Sequence, residues 1–139
     1  MLNKNDFQRL KLISETPGTS GFEHAIRQLI VDEIKPYADS IEIDNMGNLI
    51  VFKKGASNQK KVMVAAHMDE IGFIVNHIDD NGFIRFLPLG GFDPKTLTAQ
   101  RVVVHGKRDI VGVMGSKPIH IMKAEERKKT VELDDFFID

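Results

Sequence analysis

The sequence predicts an α/β fold in two parts: helices and strands over residues 1–70, then strands alone over residues 71–139. Three observations carry this reading. Two apolar stripes at helical spacing occupy the amino-terminal stretch up to about Lys35. An uninterrupted apolar run, Val62 to Ala66, fits a strand buried on both faces. From residue 71 onward, short β-branched runs alternate with turn signals and no helical period returns. The chain has 139 residues, 42% hydrophobic and 28% charged, enough for one core or two small lobes.

Phe7, Leu10 and Ile13, with Leu12 beside them, set out a short amphipathic helix with Asn5 or Asp6 as its expected cap. Glu15-Thr16-Pro17-Gly18 ends it by turn chemistry. Ser20-Gly21-Phe22-Glu23 has capping-box spacing, which predicts a second helix reaching about Lys35 and stopped by Pro36. Its stripe is Phe22, Ile26, Leu29, Ile30, Val31 and Ile34. An anion at that helix's amino end is a weaker alternative to a plain cap. Ile41 and Ile43 alternate with polar neighbours, Met46-Gly47-Asn48 turns, and Leu49 to Phe52 continues, which predicts a hairpin with Gly47 at positive φ. Residues 53–61 are basic and aperiodic, a surface loop whose lysines lack the interleaved aromatics of a nucleic-acid site.

After residue 70, Ile71 to Ile78 and Phe83 to Leu87 flank an Asn81-Gly82 turn. Arg101 to His105 and Ile110 to Met114 flank residues 106–109. Four short strands at that spacing suggest a small barrel or sandwich. Residues 123–129 read as a charge-rich helical turn or loop, and residues 131–139 close the chain.

The chemistry concentrates where the apolar run Val62 to Ala66 gives way to His67-Met68-Asp69-Glu70. The carboxyl edge of a buried strand is where α/β folds place their sites. His67 and Asp69 are two apart, so an extended backbone sends both side chains to one side. A histidine with a carboxylate at hand can bind a divalent cation through one ring nitrogen while the carboxylate orients the ring. The plain alternative is a strand-end pair that merely hydrogen-bonds. His24, His77, His105 and His120 are scattered and read as packing or surface residues. The pairs Asp79-Asp80 and Asp134-Asp135 read as solvated or capping. There is no serine in a nucleophile elbow and no phosphate loop.

The run Val62 to Phe73 resembles the signature of the glutamyl aminopeptidase family, the co-catalytic metalloaminopeptidases that include the tetrahedral self-compartmentalising peptidases. Glu15 to Glu23, Asp44 to Leu49 and Leu89 to Asp93 resemble family landmarks in the family's order. The resemblance implies that residues 1–70 are the amino-terminal part of an α/β catalytic domain. Residues 71–139 would be an inserted β-barrel used for dimer contacts, with the chain stopping near the return to the catalytic domain. It implies peptide substrates, and two divalent cations, zinc or cobalt, sharing a water that attacks the first peptide bond. His67 matches the histidine that binds one metal, and Asp69 the catalytic-site aspartate that steers it. The remaining family ligands match no residue here. The chain alone is therefore expected to bind the cations weakly or not at all and to be inactive.

A net charge of −1 argues against nucleic acid or an anionic membrane recruited by bulk charge. Zero cysteines exclude disulfides and thiolate metal sites. No window approaches the roughly 20 apolar residues of a membrane span, so the expected location is the cytoplasm. Exposed sheet edges favour a homo-oligomer or poor solubility. A competing class is a non-catalytic β-barrel assembly or binding module that leaves His67 idle. Glycan hydrolysis lacks support, because Asp69 and Glu70 are adjacent and point to opposite faces rather than flanking a sugar.

Overall fold

The computed structural model describes residues 3–57, 59–129 and 131–139. Contacts divide the chain into two units, Met1–Glu70 and Ile71–Asp139.

In the first unit, Asn3 holds the extended conformation a cap needs, and α1 (Lys4–Glu15) begins behind it. The Asn3 side chain accepts from the amides of Asn5 and Asp6, and the Asp6 carboxylate accepts from the Asn3 N–H. The cap therefore lies before the expected Asn5 or Asp6, and Asp6 is the returning carboxylate of the box. The stripe of α1 stays exposed: Phe7, Leu10, Leu12 and Ile13 are all open to solvent.

Helix α2 (His24–Ile34) starts later than its Ser20-x-x-Glu23 pattern predicts, and Ser20 does not cap it. Thr19 is held extended by a parallel bridge to Glu70, and the Phe22 N–H donates to the Thr19 carbonyl at 2.7 Å. With Gly21 at φ +85°, residues 19–22 are spent on a turn. Glu23 falls at the cap position without a capping bond, and its carboxylate accepts from the Gly21 N–H at 2.7 Å instead. Of the expected stripe, Ile26 is buried, at 3% exposure, while Phe22 lies outside the helix and is exposed. Pro36 does not stop the chain dead but sits inside one 3-10 turn, Lys35–Tyr37, that tightens the helix end.

The hairpin forms as predicted, β1 (Ser40–Ile43) against β2 (Leu49–Phe52), with Ile43 opposite Leu49 and Gly47 at φ +84°. Asp44 organises the turn by accepting from the amides of Met46 and Asn48 and from the Asn48 side chain, each at 2.9 Å. Its carboxyl is held below the usual range, first by the Asn48 side-chain amide and then by the Asn48 backbone N–H.

The central strand expected at Val62 to Ala66 is not formed. Val62, Met63 and Val64 are 88–90% exposed and in no regular structure. A strand exists only through ladder partners, and β1 and β2 pair with each other alone. The run is apolar enough for burial, but the described residues offer it no neighbour.

The second unit is a five-stranded antiparallel sheet in the order β3-β4-β7-β6-β5, where β3 is Gly72–Ile78, β4 Ile84–Leu89, β5 Arg101–His105, β6 Asp109–Gly115 and β7 Phe137–Ile138. The β3–β4 turn follows its Asn-Gly signal: Gly82 has φ +91°, and the Asp79 side chain accepts from the amides of Asn81 and Phe83. A register shift between Val75 and His77 bends β3. The short β7 lies between the two hairpins, with Ile138 opposite both Ile84 and Met114, and Asp139 exchanging backbone bonds with Val113 at 2.8 and 3.0 Å. Leu97, Met114, Phe136 and Ile138 form the buried core, bordered by Phe73, Phe86, Phe92, Val102 and Val104. Asp135 closes a capping box with Glu132, so that acidic pair does cap.

Candidate metal-ligating site

His67 and Asp69 do meet, although not on a strand. The His67 Nδ1 lies 3.0 Å from the Asp69 backbone oxygen and 3.2 Å from its Oδ1. Both partners are acceptors when the carboxyl is ionised, so the contact calls for a proton on Nδ1 and leaves the Nε2 lone pair for a metal. The imidazole is 85% exposed and the Asp69 side chain 40%. This arrangement can offer one oriented nitrogen ligand. A zinc site takes four protein ligands, or three and a bound water, and no group of three His, Cys, Asp or Glu among the described residues could hold a metal.

The segment is anchored one residue further on. The Glu70 N–H donates to the Gly18 carbonyl at 2.9 Å, and the Gly18 N–H donates back to the Glu70 Oε1 at 3.3 Å. Gly18 is buried, and a Cβ there would lie 2.6 Å from Cγ2 of Ile26 and 3.5 Å from the Met68 carbonyl oxygen. Only glycine lets the loop fit between α2 and the His67–Glu70 segment. Glu23 lies within electrostatic reach of Asp69. The Gly21 N–H, then its own amide, hold the Glu23 carboxyl below the usual range; Arg27, paired to it at 3.5 Å, adds to this and Asp69 opposes it. Sequence reasoning named Gly18 and Glu70 without giving either its contact with the other, left Arg27 unremarked and gave Glu23 a capping task. The available signal was the Pro17-Gly18 pair, which reads both as turn chemistry and as part of the Glu15 to Glu23 landmark, without pointing to its contact with Glu70.

The other candidates stay apart. His24, His77, His105 and His120 are exposed, and His105 pairs with Asp109 across the β5–β6 hairpin at 2.9 Å. No helix among the described residues is long and apolar enough to cross a membrane.

Comparison with known proteins agrees with the resemblance read from the motifs. Residues 47–139 match the M42 glutamyl aminopeptidase family. The lysyl aminopeptidase of Pyrococcus furiosus is 44% identical over 137 residues, covering 96% of this chain and 39% of that protein. The TET aminopeptidase of a marine-sediment thaumarchaeon superposes with a TM-score of 0.92 at 37% identity, covering 98% of this chain and 38% of that one. The TET1 peptidase of Pyrococcus horikoshii, which can assemble into a tetrahedron or a large octahedral shell, gives 0.79 at 38% identity, covering 96% and 39%. The chain thus spans well under half the length of the relatives it matches. From its mixed helix-and-sheet architecture, its motifs and these matches, the chain belongs to the M42 family of glutamyl aminopeptidases.

Proposed function

We propose that this chain contributes the first metal ligand of a metal-dependent aminopeptidase, with His67 binding one cation through Nε2 and Asp69 orienting the ring. The observation that carries the reading is the double contact of the His67 Nδ1 with Asp69 at the end of the apolar run. Two divalent cations, zinc or cobalt, would supply a water activated for attack on the first peptide bond of a peptide substrate. Asp69 accepts a hydrogen bond from the His67 Nδ1–H through its backbone oxygen and its carboxylate, which sets the tautomer and raises the basicity of Nε2.

With His67 the one imidazole at this site and no three-residue cluster among the described residues, the 139-residue chain alone binds the cations weakly and turns over no peptide. Residues 1–70 would belong to the catalytic domain and residues 71–139 to an inserted β-barrel. That barrel would serve contacts between copies in a homo-oligomer acting in the cytoplasm. The antiparallel sheet and the shells formed by the related TET1 peptidase support this. A second reading, a non-catalytic assembly module, is favoured by the exposed Val103, Val111 and Val113 on the sheet's outer face.

Zinc and cobalt calorimetry on the chain and on His67→Ala separates the two, with release of an amino-acid p-nitroanilide followed in the same samples. Weak binding of one ion, lost in the variant and without turnover, is expected. Tight two-metal binding with turnover would overturn the incomplete-site reading, and weak binding indifferent to His67→Ala would favour the module.

A further inference from the structure

We propose that Glu70 is a positioning residue for the His67–Asp69 pair, acting through a two-bond clamp on Gly18; this rests on the reading of His67 as a ligand. Residues 60–69 form no regular structure, so nothing in a ladder fixes the pair. The first tie back into the fold is Glu70. Its N–H donates to the Gly18 carbonyl at 2.9 Å, its Oε1 accepts from the Gly18 N–H at 3.3 Å, and it bridges Thr19 in parallel. Gly18 lies beside Ile26, the buried residue of α2, so closely that a Cβ on it would sit 2.6 Å from Cγ2 of Ile26.

The geometry therefore passes from Ile26 to Gly18, from Gly18 to Glu70, and from Glu70 to its chain neighbour Asp69, whose backbone oxygen and carboxylate both meet the His67 Nδ1. Two acceptors on one residue can be aimed at a ring nitrogen only if that residue's backbone is fixed as well as its side chain. The Glu70 clamp supplies the backbone part. The acceptor matters rather than the charge, since glutamine carries an equivalent oxygen that can accept from Gly18.

The test reads the His67 tautomer by 15N NMR of the whole chain at a fixed pH of about 8.5, where imidazole is neutral. Wild type and Glu70→Gln should both favour the Nδ1–H form. Glu70→Ala should lower the ratio of Nδ1–H to Nε2–H about fivefold, the equilibrium factor of one hydrogen bond of ordinary net strength. Gly18→Ala, which pushes on the clamp from Ile26, should move the ratio the same way, and it serves as the second variant if Glu70→Ala misfolds. An unchanged ratio in Glu70→Ala and Gly18→Ala would overturn the proposal and leave the clamp a plain loop tie. An equal fall in Glu70→Gln and Glu70→Ala would overturn it too, assigning the effect to charge. No metal or substrate enters this measurement, so its failure is distinct from failure of the zinc calorimetry.

Discussion

Ile138→Ala should destabilise the second unit by about 4 kcal/mol, although β7 is the shortest strand in the sheet. Ile138 is 5% exposed and pairs with Ile84 on one side and Met114 on the other, so it holds the β3–β4 hairpin to the β5–β6 hairpin. Truncation removes three buried carbon groups, about 2.5 kcal/mol at ~0.8 kcal/mol each. The cavity term adds to this, because Met114, Phe136 and Leu97 are pinned by their own strands and turns and cannot close over the gap. A unit of this size is stable by only about 3–10 kcal/mol, so the loss is a large share of the whole. Fluorescence is the wrong probe: the chain has no tryptophan, and its one tyrosine, Tyr37, lies in the other unit. Urea unfolding should instead be followed by exchange protection of the Val113 and Asp139 amides, which bond to each other's carbonyls across the β6–β7 seam. The exposed Val111→Ala is the control and should change stability by no more than about 0.5 kcal/mol. A cost below about 1 kcal/mol for Ile138→Ala would refute the view of β7 as the element joining the hairpins.

Other perturbations test the local devices. Asn3→Ala should cost α1 about 1 kcal/mol, read as fraying of its first turn in amide exchange, since Asn3 alone caps two amides. Gly47→Ala should destabilise the β1–β2 hairpin by about 1–2 kcal/mol, because the position holds φ +84° and a Cβ would lie 2.9 Å from Nη2 of Arg27; urea titration of the β1 and β2 amides measures it. The Asp44 carboxyl is held low by Asn48, so its folded pKa lies below the ~3.9 of an unfolded aspartate. Its contribution is then present above that value and lost as pH falls through the folded pKa. The Met46 and Asn48 amide shifts should move together in that acid window, and should not move there in Asp44→Asn.

Local chemistry was legible where a single residue decides the conformation. Asn81-Gly82 and Met46-Gly47-Asn48 each turned as read, because positive φ at a glycine is a property of that residue. The Ser20–Glu23 box failed for the opposite reason. Its spacing was right, but Thr19 is bridged to Glu70, far along the chain, and a short-range pattern carries no trace of that bond. The same holds for β7. Phe136, Phe137 and Ile138 are apolar enough for a strand, yet only the register with Ile84 and Met114 shows that they fill the middle of the sheet.

The site shows the difference between an encoded environment and an encoded conformation. Val62 to Ala66 has the composition of a strand buried on both faces, and the structure leaves Val62, Met63 and Val64 almost wholly exposed. Alternation was never the signal there. A continuous apolar run specifies what must surround the backbone, and the backbone becomes a strand only when those surroundings include a ladder partner. The His67–Asp69 contact needed no strand through Val62 to Ala66, because the two residues lie two apart and Glu70 ties the segment to Gly18. A short-range pair therefore survives in a segment whose long-range strand does not form. Anything that gave Val62 to Ala66 a pairing strand should lower the exposure of that run first and leave the His67 Nδ1 contact where the Gly18 clamp already holds it.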